Sequence, residues 1–359
     1  MVTDVTDEVR CGGRPGGGSR LGTAPEADTG LDQELPELVV PPGRSRAVRE
    51  ALRVRRVRPD AGWEAFEPQR AHPANSRSFA QVHRRWGCRP LFLEAARNGE
   101  RVGQWLVFRT RGRWNPLRTA LFAFGAPQVR DDAPDLREAV FVAAVEWLVR
   151  RIRPQNLSVQ SIALARGLSQ SALAAAGFQH REKYWSYVNP TGDQEFLLSK
   201  FGSNHRINTR KALKLGYTWR SDVTPDEYLR LSRETYAAPE SGGPSAELVR
   251  RIHGQMVPAG AAVISGAGVD GALRAASIVL FAGRTGYYLH GASTRAKDRN
   301  AATYLHFENM RWLHGRGVAE YDFGGAKVGD GHSDKALSIS EFKRKFGGTL
   351  VEAWGGTWR

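Results

Sequence analysis

The sequence predicts a mixed α/β fold built from two similar units in tandem behind a disordered leader. Three observations carry this. Strand-like and helix-like segments alternate from Gly62 to the C-terminus. Their order (hairpin strands, a helix, a crossing strand) occurs twice, in units of about 130–160 residues. The first 60 residues differ in composition from everything after them.

The leader, residues 1–60, contains CGGRPGGGSR and the proline-broken ELPELVVPPGRSR, which cannot bury a core. Its basic run of Arg44, Arg46, Arg49, Arg53, Arg55, Arg56 and Arg58 fits a solvated linker or short helix, with a nucleic-acid arm as the alternative. In the first unit, residues 79–86 predict a short helix and 90–95 an apolar segment. The turn Asn98-Gly99-Glu100 leads into an alternating strand at 102–110, and 121–124 is another strand. Phe141, Val145, Leu148 and Ile152 recur at helical spacing and mark an amphipathic helix. A strand at 157–162, a helix at 170–176 and a strand at 184–188 complete the unit.

The second unit opens with a helix at 222–237, announced by the start signal Thr224-Pro225-Asp226-Glu227. Strands follow at 261–266, 272–281 and 286–292, the first two joined by Gly268-Val269-Asp270-Gly271. A helix at 301–315 would bury Ala302, Leu305, Trp312 and Leu313, and 318–323 is the crossing strand. The chain thus divides at about residues 60 and 190.

Composition narrows the function. The 41% hydrophobic and 25% charged fractions among 359 residues are those of a globular protein. The most apolar stretch, 139–149, is far shorter than the roughly 18 residues of a membrane span and contains Glu146. The N-terminus lacks a secretory pattern, and Cys11 and Cys88 alone make neither a disulfide framework nor a cysteine metal site, which points to the cytoplasm. No Cys/His or His-Glu spacing predicts a metal. The net charge is +15, from 52 Lys+Arg against 37 Asp+Glu. The leader is neutral with ten of each sign, so the body carries all of the excess. A GC-rich codon bias would by itself write arginine-rich, lysine-poor usage of this kind. A body so cationic attracts polyanions such as nucleic acid or phosphorylated metabolites.

Four segments taken in order, AAAGFQHREKYWSYV, FGSNHRINTRKALKLGY, YYLHGAST and then EYDFGG with SEFKRKFGG, resemble the FemXAB family of aminoacyl-tRNA-dependent peptidyltransferases and the related BioF2-like proteins. The likeness spans about residues 75–359 and rests on ordered spacing rather than on any single motif. It implies two tandem domains of the acetyltransferase (GNAT) fold around a cleft, at 61–190 and 191–346. The last strand, about 347–359, would return to the first domain. It further implies transfer of an amino acid from aminoacyl-tRNA to an amine of a small or peptide acceptor, with no cofactor and no metal.

An aminoacyl ester is already activated, so catalysis requires positioning of the amine and stabilisation of an oxyanion. Lys343, beside Phe342, matches the family lysine near that oxyanion; the alternative is a surface lysine, since Arg344 and Lys345 follow. Tyr288 and His290, two apart on a strand, are expected on one face, His290 as proton acceptor, hydrogen-bonding group or structural histidine. Asp322, before Gly324-Gly325, would orient Lys343, bind an amine or cap a turn. Arg206, Arg210, Lys211 and Lys214 share one side of a helix, forming either a phosphate-binding face or a solvated one.

The chain departs from the family at Gln160, which stands where some relatives have a carboxylate base, and at His83, which stands at a phosphate-holding position. The arginine usual after Thr235 is missing, the chain reading Tyr-Ala-Ala-Pro-Glu there. Arg299-Asn300-Ala301-Ala302 is a worn pyrophosphate loop, its glycines replaced, which disfavours CoA. Three functions follow in order: a tRNA-dependent aminoacyltransferase in specialised metabolism or peptidoglycan bridge formation, a CoA-dependent N-acyltransferase, and a non-catalytic RNA-binding or polysaccharide-assembly protein.

Overall fold

The computed structural model describes residues 52–359 apart from 68, 70, 85–87, 112–118, 131–135, 161–165, 237–241, 295–298 and 330. The leader to residue 51, with Cys11, Arg44, Arg46 and Arg49, lies outside the described residues, as do 161–162 of the expected strand and Ala237 to Glu240.

One boundary moves. Leu52–Val57 (β1) is neither linker nor helix but a strand, antiparallel to Arg89–Arg97 (β2) from Leu52↔Arg97 to Val57↔Phe92. Its alternation of aliphatic and arginine suits an edge strand with one face on the core, and Arg55 bonds the buried Glu94 at 2.7 Å. Short helices Ala61–Glu64 (α1) and Arg77–His83 (α2) follow, capped by Asp60 and Ser76. The remaining first-half elements are Glu100–Arg111 (β3), Thr119–Ala123 (β4), Gln128–Val129 (β5), Leu136–Ile152 (α3), Asn156–Val159 (β6), Gln170–Ala175 (α4) and His180–Pro190 (β7).

The second half begins with Gln194–Lys200 (α5) and Ser203–Lys214 (α6), then Thr218–Arg220 (β8), Pro225–Thr235 (α7) and Ala246–Gln255 (α8). Helix α7 starts at Pro225 rather than at the expected 222, because Thr224 and Glu227 form a reciprocal capping box with Pro225 in the first turn. Strands Ala262–Val269 (β9), Ala272–Ala282 (β10) and Thr285–Ser293 (β11) form a meander. Its first turn places Asp270 and Gly271 at φ 53° and 71°, as a tight hairpin requires. Helix Arg299–His314 (α9), Glu320–Ala326 (β12), Asp334–Arg344 (α10) and Thr349–Trp358 (β13) close the chain.

The strands join in one sheet, β1-β2-β3-β4-β6-β13-β7-β12-β11-β10-β9-β8, with β5 on β3. Two features of this order matter. Each half lends its last strand to the other: β7 pairs with β12, while β13 lies between β6 and β7. And the sheet has two parallel contacts among its named strands, β4 with β6 and β11 with β12. The second is short, Thr285↔Glu320 to Tyr287↔Asp322, after which β11 stays with β10 and β12 with β7. A wedge-shaped opening therefore starts at Asp322.

Three main cores cover the two faces. One lies under α3 and α4, around Trp105, Phe141 and Phe178. Another lies under α5, α6, α9 and α10, around Phe307, Tyr321 and Phe323. The third joins the halves, with Trp63, Phe79 and Phe108 of the first packing in one cluster with Tyr228, Ile252 and Ile278 of the second. Burial of this much apolar area fixes the halves against each other. Helix α9 lies between α6 and the sheet, so it is buried almost all round. Ala302 and Trp312, expected inside, are half-buried, whereas Thr303, His306 and Asn309 are buried.

Candidate functional site

The opening between β11 and β12 is lined on its helical side by α10. This helix, capped by Ser333, turns Ala336, Ser340 and Lys343 inward at spacings of four and three. Lys343 is thus not a surface residue: it is 4% exposed, and its Nζ donates to the Gly325 carbonyl at 2.6 Å. Tyr288 stands with its ring centroid 6.0 Å from that ammonium. His306 packs on Tyr288 at 4.9 Å and on Phe323 at 4.9 Å. Among the described residues no carboxylate lies within ion-pair distance of Lys343. Burial consequently lowers its pKa to about 8, with Asp322 acting in the opposite sense.

Asp322 is fully buried at the root of the opening. Its Oδ1 accepts the Gly324 N–H at 2.8 Å, and its Oδ2 accepts from Arg166 Nη1 and Ser186 Oγ, each at 3.3 Å. It therefore caps the irregularity of β12, where Asp322↔Val188 gives way to Gly325↔Ser186 and Gly324 takes φ 67°. Of the three expected roles, turn capping is the one its hydrogen bonds perform; its charge still reaches Lys343.

Tyr288 and His290 are corrected. Val279 pairs with Tyr288 and the next residue, Ile278, pairs with His290, leaving Leu289 unpaired in a bulge. The extra residue inverts the alternation, so the two side chains point to opposite faces. Tyr288 joins Lys343 on the α9 and α10 side, while His290, 6% exposed, is turned to the core shared by the halves.

The remaining candidates separate. Phe342 is half-buried, its carbonyl accepting from His205 Nε2 at 2.9 Å, and it supports α10 against α6. Arg206 is half-buried, whereas Arg210, Lys211 and Lys214 are exposed on α6. His83 stacks among Phe79, Phe108 and Phe124 of the first half, at 4.4, 5.6 and 4.5 Å. Gln160 follows β6, its N–H donating to Ala123 O at 3.0 Å, and its buried Oε1 has no partner. Sequence reasoning missed Arg166 and His306. Arg166 carries no local signal, since its partners lie more than 150 positions away. His306 falls on a helix whose second buried face came from α6.

A cavity of about 440 Å³ lies elsewhere, lined by Trp63, His72, Gln104, Gln128, Gly283 and Arg316. Gly283 precedes β11 and Arg316 precedes β12, whereas Gly325 is near the far end of β12, so this cavity is separate from the opening. No helix among the described residues is long and apolar enough to cross a membrane.

Residues 199–344 match the family described as acetyltransferase (GNAT) domain. A lipid II:glycine glycyltransferase of Staphylococcus epidermidis is 31% identical over 87 residues, 24% of this chain. The chain spans only 21% of the length of that curated relative. The crystal structure of FemX superposes with a TM-score of 0.69 at 15% identity, over 84% of this chain and 96% of that one. The C-terminal domain of a putative lysylphosphatidylglycerol synthetase from Agrobacterium fabrum gives 0.51 at 13% identity, over 88% and 93%. These likenesses establish the fold.

Proposed function

From a GNAT acetyltransferase fold that superposes on FemX, we propose that this chain transfers an aminoacyl group from aminoacyl-tRNA to an amine of a small or peptide acceptor. The observation that carries the reading is Lys343, a buried ammonium bonded to a neutral carbonyl at the mouth of a parted pair of strands. In an environment this dry, a positive charge stabilises a developing oxyanion far more than it would in water. With a pKa of about 8 it is mostly protonated at neutral pH.

The acceptor nitrogen attacks the ester carbonyl, whose oxygen gathers charge beside Lys343. Collapse of the tetrahedral intermediate breaks the bond to the ribose oxygen of the tRNA. That oxygen leaves with a proton, the nitrogen loses one, and an amide remains. The exposed cations Arg210, Lys211 and Lys214 would meet tRNA phosphates, in keeping with a body that carries the whole net charge of +15. The glycyltransferase likeness favours peptidoglycan bridge formation as the setting, with specialised metabolism as the other.

The test is transfer of radiolabelled amino acid from charged tRNA to candidate amines. Transfer should be RNase-sensitive and reduced at least about 100-fold in Lys343→Met. Persistence of transfer after RNase treatment rejects the reading. The acetyltransferase match supports a second reading, CoA-dependent N-acylation, which predicts release of free CoA instead.

A further inference from the structure

We propose that Arg166, supplied by the first half, is the positioning residue that fixes the Asp322 carboxylate at the root of the β11/β12 opening and, through it, the Lys343 ammonium. Its catalytic meaning rests on the transfer reading above; its electrostatic content does not.

The geometry is that of a clamp. Arg166 lies between β6 and α4, yet its guanidinium forks onto two carboxylates of β12, Asp322 Oδ2 at 3.3 Å and Glu320 Oε2 at 3.0 Å. Glu320 and Asp322 alternate with Tyr321 along β12, so both face the same side. Asp322 is the last residue of β12 paired to β11, and the strands part just beyond it. Of its three hydrogen-bond donors, Arg166 alone is charged; Ser186 and Gly324 are neutral. A buried carboxylate without a cation takes up a proton. Burial already pushes Asp322 upward, and Arg166 is the strongest influence against it. Asp322 Oδ1 also accepts the Gly324 N–H, and the adjoining Gly325 carbonyl holds Lys343 Nζ at 2.6 Å. The carboxylate thus braces the strand irregularity that holds the ammonium, and its charge favours the protonated form of Lys343.

The other charges at this cluster are Glu320, which shares the Arg166 guanidinium, and Arg137, whose charge also acts on His72. Tyr287 on β11 faces Arg166 and Asp322, and burial holds its hydroxyl well above the usual range. His72, packed on Tyr287, is held neutral with a pKa of about 3 by burial and by Arg166. On the Lys343 side, Tyr288 is also pushed upward and His306 of α9 is neutral, with a pKa of about 3. On α10 itself Glu341 pairs with Arg344 and Lys345.

The chain has nine lysines, so protein carrying 13Cε-labelled lysine gives a countable set of NMR signals, and Lys343→Arg assigns the one in question. In the native protein that signal should titrate near pH 8. Arg166→Gln should lower its midpoint by about one pH unit, the size of a lost favourable charge, because Asp322 becomes protonated. Arg166→Lys should keep the native midpoint. Asp322→Asn should lower it equally, and adding Arg166→Gln in that background should change nothing further. A midpoint that rises in Arg166→Gln, as simple removal of a nearby positive charge would produce, overturns the proposal; additive shifts do the same. The Arg166 side chain is 25% exposed, so its variants should fold, which circular dichroism checks.

In transfer assays Arg166→Gln should lose about twofold in kcat at pH 7 and about tenfold near pH 9, with KM for the acyl donor unchanged, because the protonated fraction of Lys343 falls by those factors. If the lysine midpoint moves as stated while no preparation transfers an aminoacyl group, the clamp stands and the transfer reading falls. If transfer is robust and the midpoint does not move, the clamp falls alone.

Discussion

Lys343 sits where its charge is disfavoured. A pKa brought from 10.5 to about 8 corresponds to about 3 kcal/mol held against the folded state at neutral pH. The folded value lies below the unfolded one, so between about pH 8 and 10.5 the unfolded chain binds the proton more strongly. Stability contributed by this group therefore rises as pH climbs through that window. Lys343→Met should stabilise the protein at pH 7 by about 1–3 kcal/mol in urea unfolding while reducing transfer at least about 100-fold. A destabilised variant would show that the ammonium is better compensated than its contacts indicate. Gly291 offers a second residue-level test. A Cβ there would collide with the Tyr288 hydroxyl, so Gly291→Ala should push the ring from the Lys343 side. Transfer should fall about tenfold with little change in Tm, a readout that separates misplacement from unfolding.

Among the elements, β13 bears the heaviest demand. It pairs over Thr349↔Val188 to Thr357↔His180 on one side and with β6 on the other. Ending the chain before Thr349 would expose two strands of backbone donors and acceptors in mid-sheet. The truncated protein should not give a soluble monomer with a cooperative melt, and size-exclusion chromatography decides it. Helix α6 makes a quieter prediction. Reversing Arg210, Lys211 and Lys214 to Glu should weaken tRNA binding and reduce the slope of log affinity against log salt by about three. An unchanged slope would return this face to solvent. Both elements were partly legible: the basic spacing on α6 is a local pattern, and the returning last strand was implied by the family resemblance. The bulge at Leu289 was not, because an extra residue in a strand shows only against the register of its partner.

At the scale of the molecule, three histidines with depressed pKa values make the fold sensitive to acid. His72, His205 and His306 are lowered to about 3, 4 and 3, each mainly by burial. Their folded pKa values lie below the unfolded 6.5, so stability is fully present above that pH and is lost as pH falls toward 3–4. The urea midpoint should drop steeply between about pH 6.5 and 4, and His205→Asn should flatten that fall; a level profile would mean the imidazoles reach water. His205 and His306 brace α6, α9 and α10 around Lys343, so acid should loosen the site early.

Consecutive residues alone determined most of the order of elements, their repetition and the cationic body, since periodicity, capping and charge are written locally; Lys343 was singled out by family resemblance, not by any local pattern. Tertiary structure decided which strands are exchanged, which way His290 faces, that Lys343 is buried, and that Arg166 meets Asp322. The reason is physical: those outcomes depend on pairing and desolvation between segments more than a hundred residues apart, and their free energies exist only once the chain has closed on itself.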